Sequence, residues 1–164
     1  MDADFASTWT LLTSTNPSSV KSRTGYVITF ASCPILWSSK LQSEVALNTS
    51  EAKYIALSQS GIDLLSMHEL LLELSKATKL IVGSVVAHST IFEDNKSCVE
   101  LAKAPRMCPR THHITLKYHH FRFHVENGKL SISWIDIKHQ LADIFTKPLA
   151  SSSFVYLWQA LLGW

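Results

Sequence analysis

Val85-Val86-Ala87-His88-Ser89-Thr90-Ile91-Phe92-Glu93-Asp94-Asn95 runs from an apolar, β-branched stretch into two acids and an asparagine. Val85–Phe92 predicts a buried strand. Lys96–Ala104 behind it predicts a helix stopped by Pro105, with Ser97 and Glu100 spaced as a capping box. Strand, acidic turn and helix make the repeating unit of an α/β sheet, where ligands gather outside the carboxyl ends of the strands. Asp94 stands at such an end. Taken alone it is equally an ordinary turn or N-cap aspartate.

Outward from this unit the pattern is legible on both sides. Upstream, Ser50 to about Ser75 has no proline and one glycine, and Leu64, Leu65, Leu71, Leu72 and Leu74 recur at helical spacing. One long helix is expected, capped by Thr49 or Ser50 and weakened near Gly61. Before it, Gly25–Ala31 and Pro34–Trp37 read as a hairpin, Ala6–Ser22 as a loop, and Met1–Phe5 as the end of a strand. Downstream, Leu116–Glu126 predicts a helix ended by Asn127-Gly128, Leu130–Ile135 a strand, and His139–Thr146 another helix. An antiparallel start followed by crossovers gives a mixed α/β domain with a sheet of about five strands flanked by helices. Residues 1–149 form that domain; 150–164 are an apolar tail, expected to be helical and to dock on it.

Composition removes several classes. With 46% hydrophobic and 17% charged residues over 164 positions, there is material for a core and too little charge for a disordered chain. The net charge of +2 permits nucleic-acid binding without demanding it. Three scattered cysteines, Cys33, Cys98 and Cys108, form no C-x-x-C pair, which argues against a disulfide scaffold and for a reducing, intracellular setting. No apolar run approaches the ~20 residues of a membrane span, so no membrane partner is expected. The start, Met1-Asp2-Ala3-Asp4, is no signal peptide and reads as a fragment beginning inside an element. No G-x-S-x-G elbow supports acyl transfer, and no glycine cluster cradles a phosphate.

Carboxylates carry the remaining chemistry. Asp2 and Asp4 share one side of a strand, which is costly unless they are solvated, hydrogen-bonded or bound to a cation. Asp143 sits among apolar neighbours in Leu141-Ala142-Asp143-Ile144-Phe145. Scattered acids that converge on one point suit hard cations. His120 and His124 are four apart on a helix, but with His112, His113 and His119 they form no tetrahedral zinc set.

Several pieces together resemble one family. They are Asp2-Ala3-Asp4-Phe5-Ala6, Lys21-Ser22-Arg23-Thr24-Gly25-Tyr26-Val27, Trp37-Ser38-Ser39-Lys40-Leu41-Gln42, Glu51-Ala52-Lys53-Tyr54-Ile55-Ala56-Leu57, Glu93-Asp94-Asn95, Pro109-Arg110-Thr111-His112-His113-Ile114 and Gln140-Leu141-Ala142-Asp143-Ile144-Phe145-Thr146-Lys147-Pro148-Leu149. In this order, over nearly the whole chain, they resemble the ribonuclease H domain at the tail of copia-type retrotransposon Pol polyproteins. The resemblance implies a ribonuclease H-like fold, an upstream reverse transcriptase domain in the parent polyprotein, and an RNA–DNA hybrid as partner. It also implies an Asp-Glu-Asp-Asp quartet on two Mg2+ ions that activate water to cut the RNA strand. Carried over, the acids are Asp2 (Asp4 being the alternative), Asp94 and Asp143.

The second acid is missing. Where the family reads Glu-Ala-Glu-Tyr, this chain has Glu51-Ala52-Lys53-Tyr54, so an ammonium stands at a ligand position. It repels the cations the other acids attract, by several kcal/mol at close range. Glu51 lies about 200° round the helix and cannot take over. Thr115 stands for a usual Asp, Phe123 for a frequent Glu, and the front half of the first strand is absent, leaving a central sheet position thinly paired. A weakened hybrid nuclease, an inactive nucleic-acid-binding remnant and a protein-interaction scaffold are the three resulting expectations. For hybrid binding the candidates are Lys40, Asn95, Arg110 and Lys117, with Trp37, Arg106 and Arg122 beside them.

Overall fold

A computed structural model of the chain describes residues 1–6, 8–13, 15–78, 88–104 and 120–163. Its elements are β1 (Asp2–Asp4), β2 (Arg23–Phe30), β3 (Cys33–Leu41), α1 (Thr49–Thr78), β4 (Ser89–Glu93), α2 (Lys96–Lys103), α3 (His120–Glu126), β5 (Leu130–Trp134) and α4 (Ser151–Leu162), with short 3-10 helices at Leu11–Thr13, Ile137–His139 and Leu141–Phe145. This mixed α/β arrangement is consistent with the expected ribonuclease H-like fold. Among the described residues no helix is long and apolar enough to cross a membrane.

Among the described residues, five strands form two sheets. β1, β2 and β3 pair antiparallel in that order, and β4 pairs parallel with β5. The two sheets meet where the Met1 nitrogen donates to Phe92 O at 3.1 Å. A β1 of three residues leaves β2 unpaired by it beyond Gly25. The β2–β3 hairpin turns through Ala31 and Ser32, both left-handed at φ 50° and 64°. That twist matches the strands, at the cost of a conformation side chains resist.

The long helix is there, Thr49–Thr78, and Gly61 does not interrupt it. Its cap differs from expectation. Asn48 Oδ1 accepts from Glu51 N at 2.9 Å, so Asn48, not Thr49 or Ser50, closes the end, while Glu51 Oε2 accepts from Leu47 N at 2.9 Å. Residues 51–58 are buried on every side of the helix. Tyr54, Ile55 and Leu57 pack there with Phe121, Leu130 and Ile132 as the core, and the Tyr54 and Phe121 rings lie 5.4 Å apart, tilted at 56°.

Further differences are local. The described strand β4 is Ser89–Glu93; Val85, Val86 and Ala87 lie outside the described residues. Asn95, not the Ser97–Glu100 pair, caps α2, accepting from Cys98 N at 3.0 Å. Of the expected Leu116–Glu126 helix the described part is His120–Glu126, followed by Gly128 at φ 70° as the stop. His139–Thr146 is not an α-helix but two 3-10 turns. Gln140 is the reason: its amide donates to Met1 O at 2.8 Å and its carbonyl accepts from Ala142 N at 3.4 Å, pinning the backbone to β1. The tail is helical over Ser151–Leu162 and packs on β3 and the Leu141–Phe145 turn.

Candidate functional site

β1, the residue that follows β4 and the Leu141–Phe145 turn deliver one carboxylate each to a common point. Asp2, Asp94 and Asp143 have ligand oxygens all within 4.8 Å of one another, the group of acids among the described residues that could hold a metal ion. Asp2 is 1% exposed and Asp143 4%. Asp4, on the same strand, is not part of that group. Gly25 makes room for the turn: a Cβ there would stand 2.5 Å from Thr146 Cγ2 and 2.9 Å from Phe145 Cβ.

Lys53 points into the same spot. Its second-turn position on α1 lies in the stretch buried all round, so its chain has no solvent side to turn to. The ammonium donates to Asp2 Oδ1 and Asp94 Oδ1 and lies 3.4 Å from Glu93 Oε1. Lys147 enters from the other side, 3.0 Å from Asp143 Oδ2 and 3.8 Å from Asp2 Oδ2. The Thr146 hydroxyl donates to Asp2 Oδ2 at 2.7 Å.

Protonation follows from this crowding. Burial pushes the Asp2 carboxyl up, but the Lys53 charge and hydrogen bond, then Thr146 and Lys147, pull it down to about 2. Burial disfavours the Lys53 ammonium, yet Glu93, Asp2 and Asp94 hold its pKa above the usual lysine value. Glu93 is pushed up to about 7, by burial first and by Asp94 in addition; the Lys53 charge and the Asn95 N–H do not offset this. Asp143 rises to about 6, again by burial first, with Asp2 adding to it against Lys147. Among the described residues, Asp143 Oδ1 and Glu93 Oε2 have no hydrogen-bond partner.

Three converging carboxylates with an orphaned oxygen are a donor set for a hard divalent cation. With Lys53 among them the set does not fit one: an ammonium already fills the space between Asp2 and Asp94, and a metal there would meet it at van der Waals range.

Sequence reasoning missed three members of this cluster. Glu93 was legible, because burial alternates from Ile91 through exposed Phe92 to Glu93, which puts the acid on the inner side. Thr146 and Lys147 gave no signal beyond their place after Asp143. Lys40 is exposed on β3, opposite Thr24, and Asn95 serves as the α2 cap. Trp37 is exposed. Arg122 is buried against Tyr54. Arg106, Arg110, His112, His113, Thr115, Lys117 and His119 lie outside the described residues. The His120 and His124 rings meet edge to face, centroids 6.4 Å apart.

No family profile and no solved structure matches the chain. Curated sequences do. The chain is 35% identical over 134 residues, 82% of its length, to the retrovirus-related Pol polyprotein from transposon TNT 1-94 of Nicotiana tabacum. It is 33% identical over 154 residues, 93% of its length, to the retrovirus-related Pol polyprotein from transposon RE2 of Arabidopsis thaliana. Transposon RE1 of the same plant gives 32% over 154 residues. The chain spans about a tenth of the length of these relatives. Modest identity sustained over most of the chain makes copia-type, retrovirus-related Pol polyproteins of plant transposons its homologues.

Proposed function

We propose that this chain is a ribonuclease H domain of a copia-type Pol polyprotein whose RNA-cutting activity is suppressed by Lys53. The observation that carries the reading is the ammonium of Lys53 seated between Asp2 and Asp94, inside a group of three acids brought together from residues 2, 94 and 143. Mg2+-dependent hydrolysis of an RNA–DNA hybrid, which the resemblance implies, needs those carboxylates free to take metal. Here they are neutralised by the chain itself. In a parent polyprotein the domain would act behind a reverse transcriptase, on the hybrid that enzyme makes. Hybrid binding asks less of the site than cleavage does, and the exposed Lys40 and Trp37 of β3 favour its survival.

The test is cleavage of an end-labelled RNA–DNA hybrid with Mg2+ by the chain and by Lys53→Glu. The variant is expected to cut at least about tenfold faster, the size of one charge-compensating ligand regained. Equal rates would remove Lys53 from the metal site and with it this reading. Hybrid affinity is measured beside it. A steep fall with rising salt supports a nucleic-acid partner, and no binding at low salt leaves the protein-interaction scaffold as the better account.

A further inference from the structure

The acid cluster carries cations of its own. Lys53 and Lys147 each sit against one carboxylate oxygen of Asp2. Lys53 joins Asp2 to Asp94 and comes within 3.4 Å of Glu93 Oε1. Lys147 joins Asp2 to Asp143, at 3.8 and 3.0 Å. The two ammonium groups differ in access. The Lys53 side chain is 9% exposed and three acids surround its charge, so that charge acts inside the cluster. The Lys147 side chain is 30% exposed and reaches the rim.

The Asp94 side of the cluster has a cationic rim as well. Trp134 ends β5 on the same side of the strand as Leu130 and Ile132. Those two are buried, whereas Trp134 is 48% exposed. Its indole Nε1 donates to Asp94 O at 3.1 Å, which fixes the ring to the backbone of an acid. The ammonium of Lys96, an exposed residue, lies 4.9 Å from the centroid of that ring. A long side chain resting on an aromatic face has already given up part of its freedom. It therefore loses less on meeting an anion.

Bare carboxylates repel an approaching phosphate backbone, and a divalent ion between the two removes that repulsion. Here Lys53 fills the place of such an ion and supplies positive charge from within. We propose that the domain grips an RNA–DNA hybrid without any divalent cation, Lys53 neutralising the acids from inside and Lys96 and Lys147 meeting phosphates at the rim. The inference rests on the hybrid as partner, the reading given above, and extends it to what the altered site still does. Ammonium groups on phosphates position a strand without reading its bases, so this grip is salt-sensitive and indifferent to sequence.

The probe is a short fluorescein-labelled RNA–DNA hybrid, titrated with the intact chain and followed by anisotropy, in EDTA and in Mg2+ at one ionic strength. Binding in EDTA is expected to be as tight as in Mg2+ or tighter. Lys53→Glu should reverse the order, binding about tenfold more weakly in EDTA and recovering with Mg2+. Lys96→Gln should lower the slope of log affinity against log salt by about one, the mark of one lost phosphate contact. Tighter binding by the unaltered chain in Mg2+ than in EDTA overturns the proposal. That outcome leaves the cleavage test of Lys53→Glu standing, so the two readings fail separately. No binding at low salt in either condition removes the hybrid as partner and this inference with it. An unchanged salt slope in Lys96→Gln overturns the place given to Lys96. If Lys53→Glu does not fold, the comparison of EDTA with Mg2+ on the unaltered chain still decides.

Discussion

The two ends of the β1 line are opposites. At Asp2 three elements close in with two ammonium groups and a hydroxyl, and almost no water is left. Beyond Gly25, β2 has strand partners in β3 alone among the described residues, and with β4 it lines a cavity of about 980 Å³. The contrast shows what holds each end. The acid end is charge-compensated, so its integrity depends on particular side chains. The open end is held by β3, β5 and α1 behind it, so single side chains there matter less.

The sharpest way to break this contrast is Lys53→Met. It keeps the volume and leaves buried Asp2 and Glu93 and half-buried Asp94 without the Lys53 cation. Removing one partner of a buried ion pair costs about 3–5 kcal/mol, so a large fall in melting temperature at neutral pH is expected. A change under about 0.5 kcal/mol would show that the acids are not neutralised by Lys53. Next in size is Gly25→Ala. Its Cβ would overlap Thr146 and Phe145, costing about 1–3 kcal/mol and displacing the turn that carries Asp143. Chemical denaturation reads the loss; an unchanged midpoint would mean the turn yields freely.

Proton linkage sharpens the contrast further. Glu93 and Asp143 hold their protons more tightly folded than unfolded, at about 7 and about 6. The stability they lend is complete below the ordinary carboxylate range and drains away as pH rises through those values. Asp2, held at about 2, works the other way: its contribution stands above the ordinary range and is lost only as pH falls through its folded value. The melting temperature is therefore expected to decline between about pH 4 and pH 7, and Glu93→Gln should flatten that decline. A rising curve would contradict the burial of these two acids. The smallest effect belongs to the open end. Replacing Ala31-Ser32 by Asn-Gly relieves two left-handed residues and should add about 1 kcal/mol or less, without altering the pH curve. Coupling of that change to the acid end, seen as a shifted pH profile, would mean the two ends are one unit.

Much of this was legible in the residues, and the gaps have physical causes. The hairpin, the long helix and the strand–turn–helix around Asp94 announce themselves by period and by polar breaks, which are local signals. Lys53 was legible as an intruder because it departs from a pattern the neighbouring residues keep. The caps were misread by one or two positions, since Asn48, Thr49 and Ser50 are all competent caps and only the backbone angle chooses among them. The 3-10 turns at 137–145 were hidden because they depend on the Gln140 amide reaching Met1, a contact between opposite ends of the chain. The clustering of Thr146 and Lys147 on Asp2 was hidden for the same reason.

That separation has a consequence for how the protein is made. Asp2 and the Thr146 hydroxyl that serves it are 144 residues apart. At ~5–20 residues per second, a nascent chain carries Asp2 for on the order of ten seconds before its last partners leave the ribosome. During that time β1 can lie against β2 and α1, while half of its counter-charge is still unsynthesised. Stalling translation before codon 146 should leave a domain with a formed hairpin and helix and a first strand that exchanges its amide protons freely.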